Sequence, residues 1–537
     1  MNLPTFKTYL SSLTPARASV GLVGFMTLLH FIVAFYAELG GDEAHYALYG
    51  LHPDWSYYDH PPMVGWLQII PMWLAPYDWS ARLVPIGLYV ALNALLYRLT
   101  LTLFGQATDT INTANANLDQ AWSGIGSQHW LGFWSLALLN STLILALMGM
   151  AMLPDNPLMV IVLALILVVI KLLKHTQAPL RYWVLLGALV GLAALSKYTA
   201  VTLVVSLLAV MLVQKRLDWL TQKGLWLAIA TALLMISPIL YWNATHDWAS
   251  ILYQINHGTG ASQWRLSRLM QTQATQFITY TPLLFLLGWW AMLRLKHYQT
   301  FAPRLLLLFS LPITLLFAWG SGYEKSLPHW LSLAWLLLIP IVVHSLWQMQ
   351  TKKWLKPLVS VHLVVSFTLV LVAHSLLFSP WLAFKDHQNP IQGDYGWPQA
   401  TQTALTLQAQ LAQNPAELPL FVSNWSVASH LAWYARPQPV YLTDVRATQY
   451  DYWFNPPAPG SNGLLVVPHY EPVPPKTNQA HHFERCELRQ TQDMKVNGAI
   501  VVSYYFYHCF NLLKPALTQT SETLAPRALK TSTLNTP

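Results

Sequence analysis

Apolar runs recur along most of this chain at lengths that a bilayer demands. Stretches near 19–37, 82–104, 129–150, 156–174, 181–196, 198–214, 223–243, 273–294, 302–319, 328–349 and 357–380 read as membrane-spanning helices, eleven in all. A span needs about 20 predominantly apolar residues to cross the hydrocarbon. The two stretches around Ser196 are short, with Lys197 between them; they read as a tight hairpin, with one bent helix as the alternative. Residues 61–77 (PPMVGWLQIIPMWLAPY) are apolar but too short and proline-rich to span, which predicts a segment lying along the interface. Beyond residue 380 the pattern changes. LPLFVSNWS, PQPVYL, NGLLVVPHY and above all AIVVSYYFYHCF read as strands, and VASHLAWYAR as a short helix. The tail 514–537, rich in Thr, Ser and Pro, reads as disordered.

The pattern therefore predicts a polytopic α-helical membrane protein, with a bundle over 1–380 and a C-terminal α/β domain over 381–513. Composition agrees: charged residues are only 10% of the chain and apolar residues 54%, where soluble domains sit near 25% charged. The net charge of +8 does not signal nucleic acid, because the basic residues stand at the ends of apolar runs. Orientation follows from them. Lys7 and Arg17 precede the first span; Lys171, Lys174 and Arg181 form a second group; Lys215, Arg216 and Lys223 a third; Arg294, Lys296 and Arg304 a fourth; Lys352, Lys353 and Lys356 a fifth. With a cytoplasmic N-terminus and eleven spans, all five groups fall on the cytoplasmic side. The loop 38–81 and the C-terminal domain are then extracytoplasmic. The first apolar stretch lacks the cleavage site of a signal peptide. The two cysteines, Cys486 and Cys509, both fall in the external domain, where a disulfide can persist, and they flank a candidate strand pair.

In a chain so poor in charge, the loop ELGGDEAHYALYGLHPDWSYYDHPP is dense in acids: Glu38, Asp42, Glu43, Asp54 and Asp59, with His45, His52 and His60 among them. Asp42 and Glu43 follow a Gly-Gly turn at the end of the first span. A carboxylate at the edge of low dielectric has a raised pKa, which suits a general base. Tyr46, Tyr49, Trp55, Tyr57, Tyr58, Pro61 and Pro62 argue for a packed loop rather than a solvated one. Asp155 lies between two prolines at a span start, where it is either an N-cap or a second functional carboxylate. Lys197 either snorkels or binds phosphate from within the bundle, and Arg82 either does the same or anchors at the interface. In GSGYEKSLPHW, Glu324, Lys325 and His329 share a short loop; Glu and His are metal-ligand types, but no repeated spacing marks a metal site, and a divalent-metal requirement is left open. Acids and bases gathered on one face of an apolar bundle suit an enzyme acting on a lipid phosphate: cations neutralise the leaving phosphate, a carboxylate takes the acceptor proton, and the bundle supplies a groove for the lipid tail. The alternative is a lipid or glycan flippase, which would carry its ionisable groups near mid-membrane.

YYDHPPMVGWL following GDEAHY resembles the first loop of the glycosyltransferase-C superfamily, and most nearly its bacterial family 39 branch, which includes relatives of the protein O-mannosyltransferases and of the lipid A aminoarabinose transferase. PDNPL, LSKYTA, SPILYWNATHDWASILYQ and the Glu-x4-His-Trp of EKSLPHW resemble that branch in the same order, over roughly residues 20–345. The resemblance implies a multi-pass inner-membrane glycosyltransferase of the cell envelope. It would move a sugar, with inversion, from a polyprenyl-phosphate donor to a lipid, glycan or protein acceptor on the extracytoplasmic face. Asp42 matches the base, with Glu43 supporting it. Lys197 matches a phosphate-contacting position, and His60 stands where some relatives carry a lysine. Arg82 would help hold the donor phosphate, Asp155 would be a second catalytic carboxylate, for acceptor or metal, and Asp59, Tyr58, Glu324 and His329 are further site candidates. The expected partners are the donor and membrane lipid, with no nucleic acid.

Overall fold

The computed structural model describes residues 14–105, 129–259, 263–324, 326–382, 384–444, 446–471 and 483–513. The expected tail 514–537, Lys7 and Lys325 lie outside the described residues. The chain divides into two compact units, one formed by Met1–Ala37 with Tyr46–Pro380, the other by Glu38–His45 with Trp381–Pro537.

The first unit is all helical. Seven of its helices are long and apolar enough to cross a membrane: α1 (Pro15–Tyr36), α4 (Asp78–Phe104), α6 (Asp155–Leu173), α9 (Lys223–Thr245), α13 (Phe301–Gly320), α14 (Pro328–Gln348) and α15 (Leu355–Phe378). Between α1 and α4 lie α2 (Gly41–Leu51), whose start belongs to the second unit, and α3 (Met63–Leu74). α5 (His129–Ser141) breaks at Thr142. α7 (Leu180–Ser196) and α8 (Tyr198–Val213) are apolar but short. α10 (Ala249–Thr259) precedes α11 (Leu266–Thr279) and α12 (Pro282–Leu293), which are bent by 120° and bring the number of candidate spans to eight if they count as one. The expected eleven segments thus fall on helices, the expected span 273–294 being broken by the 120° bend between α11 and α12, but length and apolarity carry seven or eight of them across a bilayer.

Packing sorts these helices into centre and rim. In α14, 78% of the most apolar stretch is buried and in α6 67%, whereas α9 shows 17% and α15 22%. Apolar side chains left exposed on the rim helices, such as Leu233, Leu234, Val361 and Val364, face what is lipid in a membrane protein. α7 meets α9 through small residues: a Cβ on Gly187 would stand 2.2 Å from the Ala228 carbonyl oxygen, and one on Gly191 2.4 Å from Met235. Glycine at these positions is what lets the two backbones approach. The apolar segment 61–77 folds as the 12-residue α3, about 18 Å long at 1.5 Å per residue and so too short to span. Ile70, Trp73 and Leu74 are exposed on it.

The second unit is a five-stranded sheet with helices. β1 (Leu420–Val422) pairs in parallel with β2 (Val440–Leu442) and β3 (Gly463–Pro468). β3 pairs antiparallel with β5 (Ala499–Leu512), and β5 with the edge strand β4 (Phe483–Val496), in the order β2-β1-β3-β5-β4. α16 (Trp397–Leu411) and α17 (Trp425–Ala435) complete it. The four expected strands and the expected helix fall on β1, β2, β3, β5 and α17. Cys486 and Cys509 stand opposite each other on β4 and β5 and are joined by a disulfide.

Candidate functional site

The candidate residues divide between the two units. Glu38, Asp42, Glu43 and His45 belong to the second unit; Tyr58, Asp59, His60, Arg82, Asp155, Lys197, Glu324 and His329 belong to the first.

In the second unit, the expected Gly-Gly turn is the start of a helix. Gly41 is the first residue of α2, and Gly40 caps it: the Gly40 carbonyl accepts from Ala44 N–H at 2.9 Å. Glu43 is buried, and its carboxylate reaches back to accept from Gly40 N–H at 3.0 Å, the reciprocal bond of a capping box. Its side chain is therefore committed to the turn. Asp42 is half-buried in the first turn of α2, at the positive end of the helix dipole.

In the first unit, Lys197 and Asp155 meet. Lys197 Nζ donates to both Asp155 carboxylate oxygens, at 2.8 and 2.7 Å, and the two side chains are 9% and 2% exposed. The sequence places them here by two helix breaks. Lys197 is extended (φ −156°) where α7 stops, and Asp155 is the first residue of α6. The N-cap of α6 is Pro154, so the cap reading of Asp155 is corrected: its carboxylate serves the lysine. Asn156 holds the turn, donating to Met148 O at 2.6 Å while its Oδ1 accepts from Leu153 N–H at 3.1 Å. Arg82 is buried, and its guanidinium donates to the carbonyls of Ala37 at 2.6 Å and Ala34 at 3.5 Å, capping the end of α1.

The rest of the acid-rich loop is packed by its aromatics, as its composition predicts. The Tyr49 and Tyr57 rings stack at 3.6 Å, the Tyr49 hydroxyl donates to Asp59, and burial, ahead of the Asp59 charge, pushes the Tyr49 hydroxyl pKa well up. Gln254 donates to Asp59 O at 2.6 Å, and Tyr58 packs on Tyr253. His60 meets the edge of Tyr46 and is half-buried. Asp54 was given no role by the sequence, yet its carboxylate accepts from Trp242 Nε1–H at 2.9 Å and from its neighbour Trp55 N–H at 2.6 Å, tying the loop to α9. Glu324 is exposed in the turn before α14, and His329 is half-buried in the first turn of that helix. Among the described residues, no three His, Cys, Asp or Glu side chains stand together as a metal site.

A family model described as dolichyl-phosphate-mannose-protein mannosyltransferase matches residues 126–242 of this chain. No curated protein matches it by sequence. Among solved structures, ArnT from Cupriavidus metallidurans bound to undecaprenyl phosphate has the same fold, with a TM-score of 0.57 and 14% identity over 91% of this chain and 97% of that one. The apo state of the same protein gives 0.54 and 15% over the same shares. The likeness spans both units, so the C-terminal sheet belongs to the shared fold.

Proposed function

We propose that this chain, a multi-pass membrane protein with the glycosyltransferase-C fold, is a glycosyltransferase that takes its sugar from a polyprenyl-phosphate donor. The observation that carries this reading is the Lys197–Asp155 pair, a buried ion pair at two helix breaks in the helical bundle. Such a pair is poor value as a stabiliser, because desolvation of both charges offsets their attraction. Ionisable groups kept in a membrane protein's interior are functional by default. The likeness to a protein solved with undecaprenyl phosphate supports the same donor class here.

In this reading, Lys197, oriented by Asp155, draws the donor phosphate, and Arg82 and His60 are the further phosphate-binding candidates. Asp42 takes the proton of an acceptor hydroxyl as that oxygen attacks the anomeric carbon from the face opposite the phosphate. The bond from the anomeric carbon to the phosphate oxygen breaks, the polyprenyl phosphate leaves with the electron pair, and the sugar inverts. The acceptor is a lipid, glycan or protein. The reaction takes place on the extracytoplasmic face of the plasma (inner) membrane, a sidedness supported by the five basic groups and by the Cys486–Cys509 disulfide.

The test is a transfer assay with the purified chain in nanodiscs, a panel of undecaprenyl-phosphate sugars and membrane extract as acceptor. Wild-type protein should transfer label from one donor, and Asp42→Asn should lose turnover by roughly 100- to 10,000-fold while keeping its affinity for undecaprenyl phosphate. Transbilayer movement of lipid without transfer from any donor would favour the flippase instead.

A further inference from the structure

The segment Glu38–His45 leaves the helical unit and belongs to the C-terminal one. Nothing in its sequence announces this, and four sets of contacts produce it. At its start, the Glu38 carboxylate accepts from Gly396 N–H at 3.0 Å and Trp397 N–H at 2.9 Å. These amides open α16, where a carboxylate meets both unpaired N–H groups and the positive end of the helix dipole. Gly396 has φ +83°, and a Cβ there would stand 2.6 Å from Met494, so the cradle needs glycine. In the middle, Leu39 N–H donates to the Tyr434 hydroxyl and Gly41 N–H to Asp394 Oδ1, both at 3.3 Å. A Cβ on Gly41 would come within 2.8 Å of Ser426 Oγ. At the end, His45 is buried, with Nδ1 3.3 Å from Ser429 Oγ and its ring among Trp425, Tyr450 and Trp453.

We propose that Glu38 and His45 are positioning residues for Asp42, so that the C-terminal unit acts as the holder of the base. This rests on the glycosyltransferase reading and deepens it. Asp42 lies between the two anchors, in the first turn of a helix whose start is fastened at Glu38, Gly41 and His45. Each anchor acts on Asp42 through the backbone, and neither is required to touch substrate. The partners of Glu38 and His45 are more than 350 residues away in sequence, so the segment gains its conformation only when the C-terminal unit is folded.

The test uses the whole chain in nanodiscs with the donor sugar found active above. Glu38→Ala and His45→Ala should each slow single-turnover transfer by about 10- to 100-fold, the cost of a misplaced catalytic group. Affinity for undecaprenyl phosphate should stay within about twofold of wild type. Glu38→Gln, which keeps an acceptor oxygen, should recover part of the rate, and it serves in place of Glu38→Ala if that variant does not fold. Amide exchange in residues 38–51 should rise in each slowed variant. In an Asp42→Asn background, Glu38→Ala should slow transfer no further. Equal slowing in both backgrounds would show that Glu38 does not act through Asp42 and would overturn the proposal. So would full transfer by the Glu38 and His45 variants beside an inactive Asp42→Asn. Normal transfer by Asp42→Asn would instead remove the base assignment itself.

Discussion

At the residue scale, the structure changes what each carboxylate is expected to do when neutralised. As an N-cap, Asp155 would cost about 1 kcal/mol when lost. As the partner of Lys197 it costs more, since removing one member of a buried pair strands the other charge, at about 3–5 kcal/mol. Asp155→Asn should therefore lower the melting temperature sharply, and Lys197→Met alone should do the same. The double variant Asp155→Asn/Lys197→Met should regain most of the stability and none of the affinity for undecaprenyl phosphate. Scanning calorimetry and a phosphate-binding measurement on the three variants separate the roles. Donor affinity that returns together with stability would make the pair purely structural. Arg82 illustrates the limit of reading a residue without its fold. A buried arginine at a span start reads equally as phosphate binder or anchor, and only the carbonyls of Ala34 and Ala37 reveal that it caps α1.

At the scale of elements, what was legible is what carries a local signal. Apolar periodicity located α1, every helix from α4 to α9 and from α13 to α15, and the strands β1, β2, β3 and β5, while the expected span 273–294 runs across the 120° bend between α11 and α12. β4 has no apolar run of its own and is expected only as a member of the strand pair flanked by Cys486 and Cys509, because FERCELRQTQDMKV is an edge strand, polar by necessity on its exposed flank, and its strand state comes from pairing with β5. α2 and α11 were hidden for a related reason: α2 starts on anchors in the C-terminal unit, and α11 is too polar to resemble a span. The same sheet gives a pH prediction. His469, at the end of β3, stacks on His387 at 4.0 Å, and its Nδ1 accepts from Ser503 N–H at 3.4 Å. Burial, and then the His387 charge, lower the His469 pKa. His508 on β5 is lowered as well, by burial and then by Arg489. The unfolded chain has its histidines near 6.5 and takes up these protons first as pH falls. Their contribution is thus fully present above about pH 6.5 and is lost as pH drops toward the lowered folded values. Amide exchange in β3 and β5 should therefore indicate a less stable sheet at pH 5.5 than at pH 7. His469→Phe should flatten that dependence, and an unchanged dependence would assign it to other groups.

At the scale of the whole molecule, the unresolved quantity in the sequence is the number of crossings, and the basic residues supply an argument that helix length alone does not. If only the seven long helices cross, the group Lys171, Lys174 and Arg181 and the group Lys352, Lys353 and Lys356 fall on opposite sides. If the bent pair α11–α12 crosses as well, the groups remain split between the two sides. All the basic groups share one side once α5 with its continuation crosses as well, and α7 and α8, crossing as a pair or not at all, leave every group where it is. α7 has 17 residues, the lower end of what spans a bilayer. A short helix is accommodated by local thinning at modest cost per ångström. Lysine and arginine placed on the wrong side in several short loops would oppose insertion more strongly than that. The expectation is therefore nine crossings, or eleven where α7 and α8 cross as a pair, with a cytoplasmic N-terminus and an external C-terminal unit in which the Cys486–Cys509 bridge persists. Reporter fusions after Lys353 and after Asp444 should lie on opposite sides, as α15 alone requires. The decisive pair is a fusion after Lys174 and one after Lys215: with α7 and α8 both crossing, or neither, these agree with each other. Agreement of both with the Lys353 fusion occurs when the bent pair α11–α12 crosses. A Lys174 fusion found opposite to Lys353 would show that the bent pair does not cross and leave the positive-inside pattern without a cause.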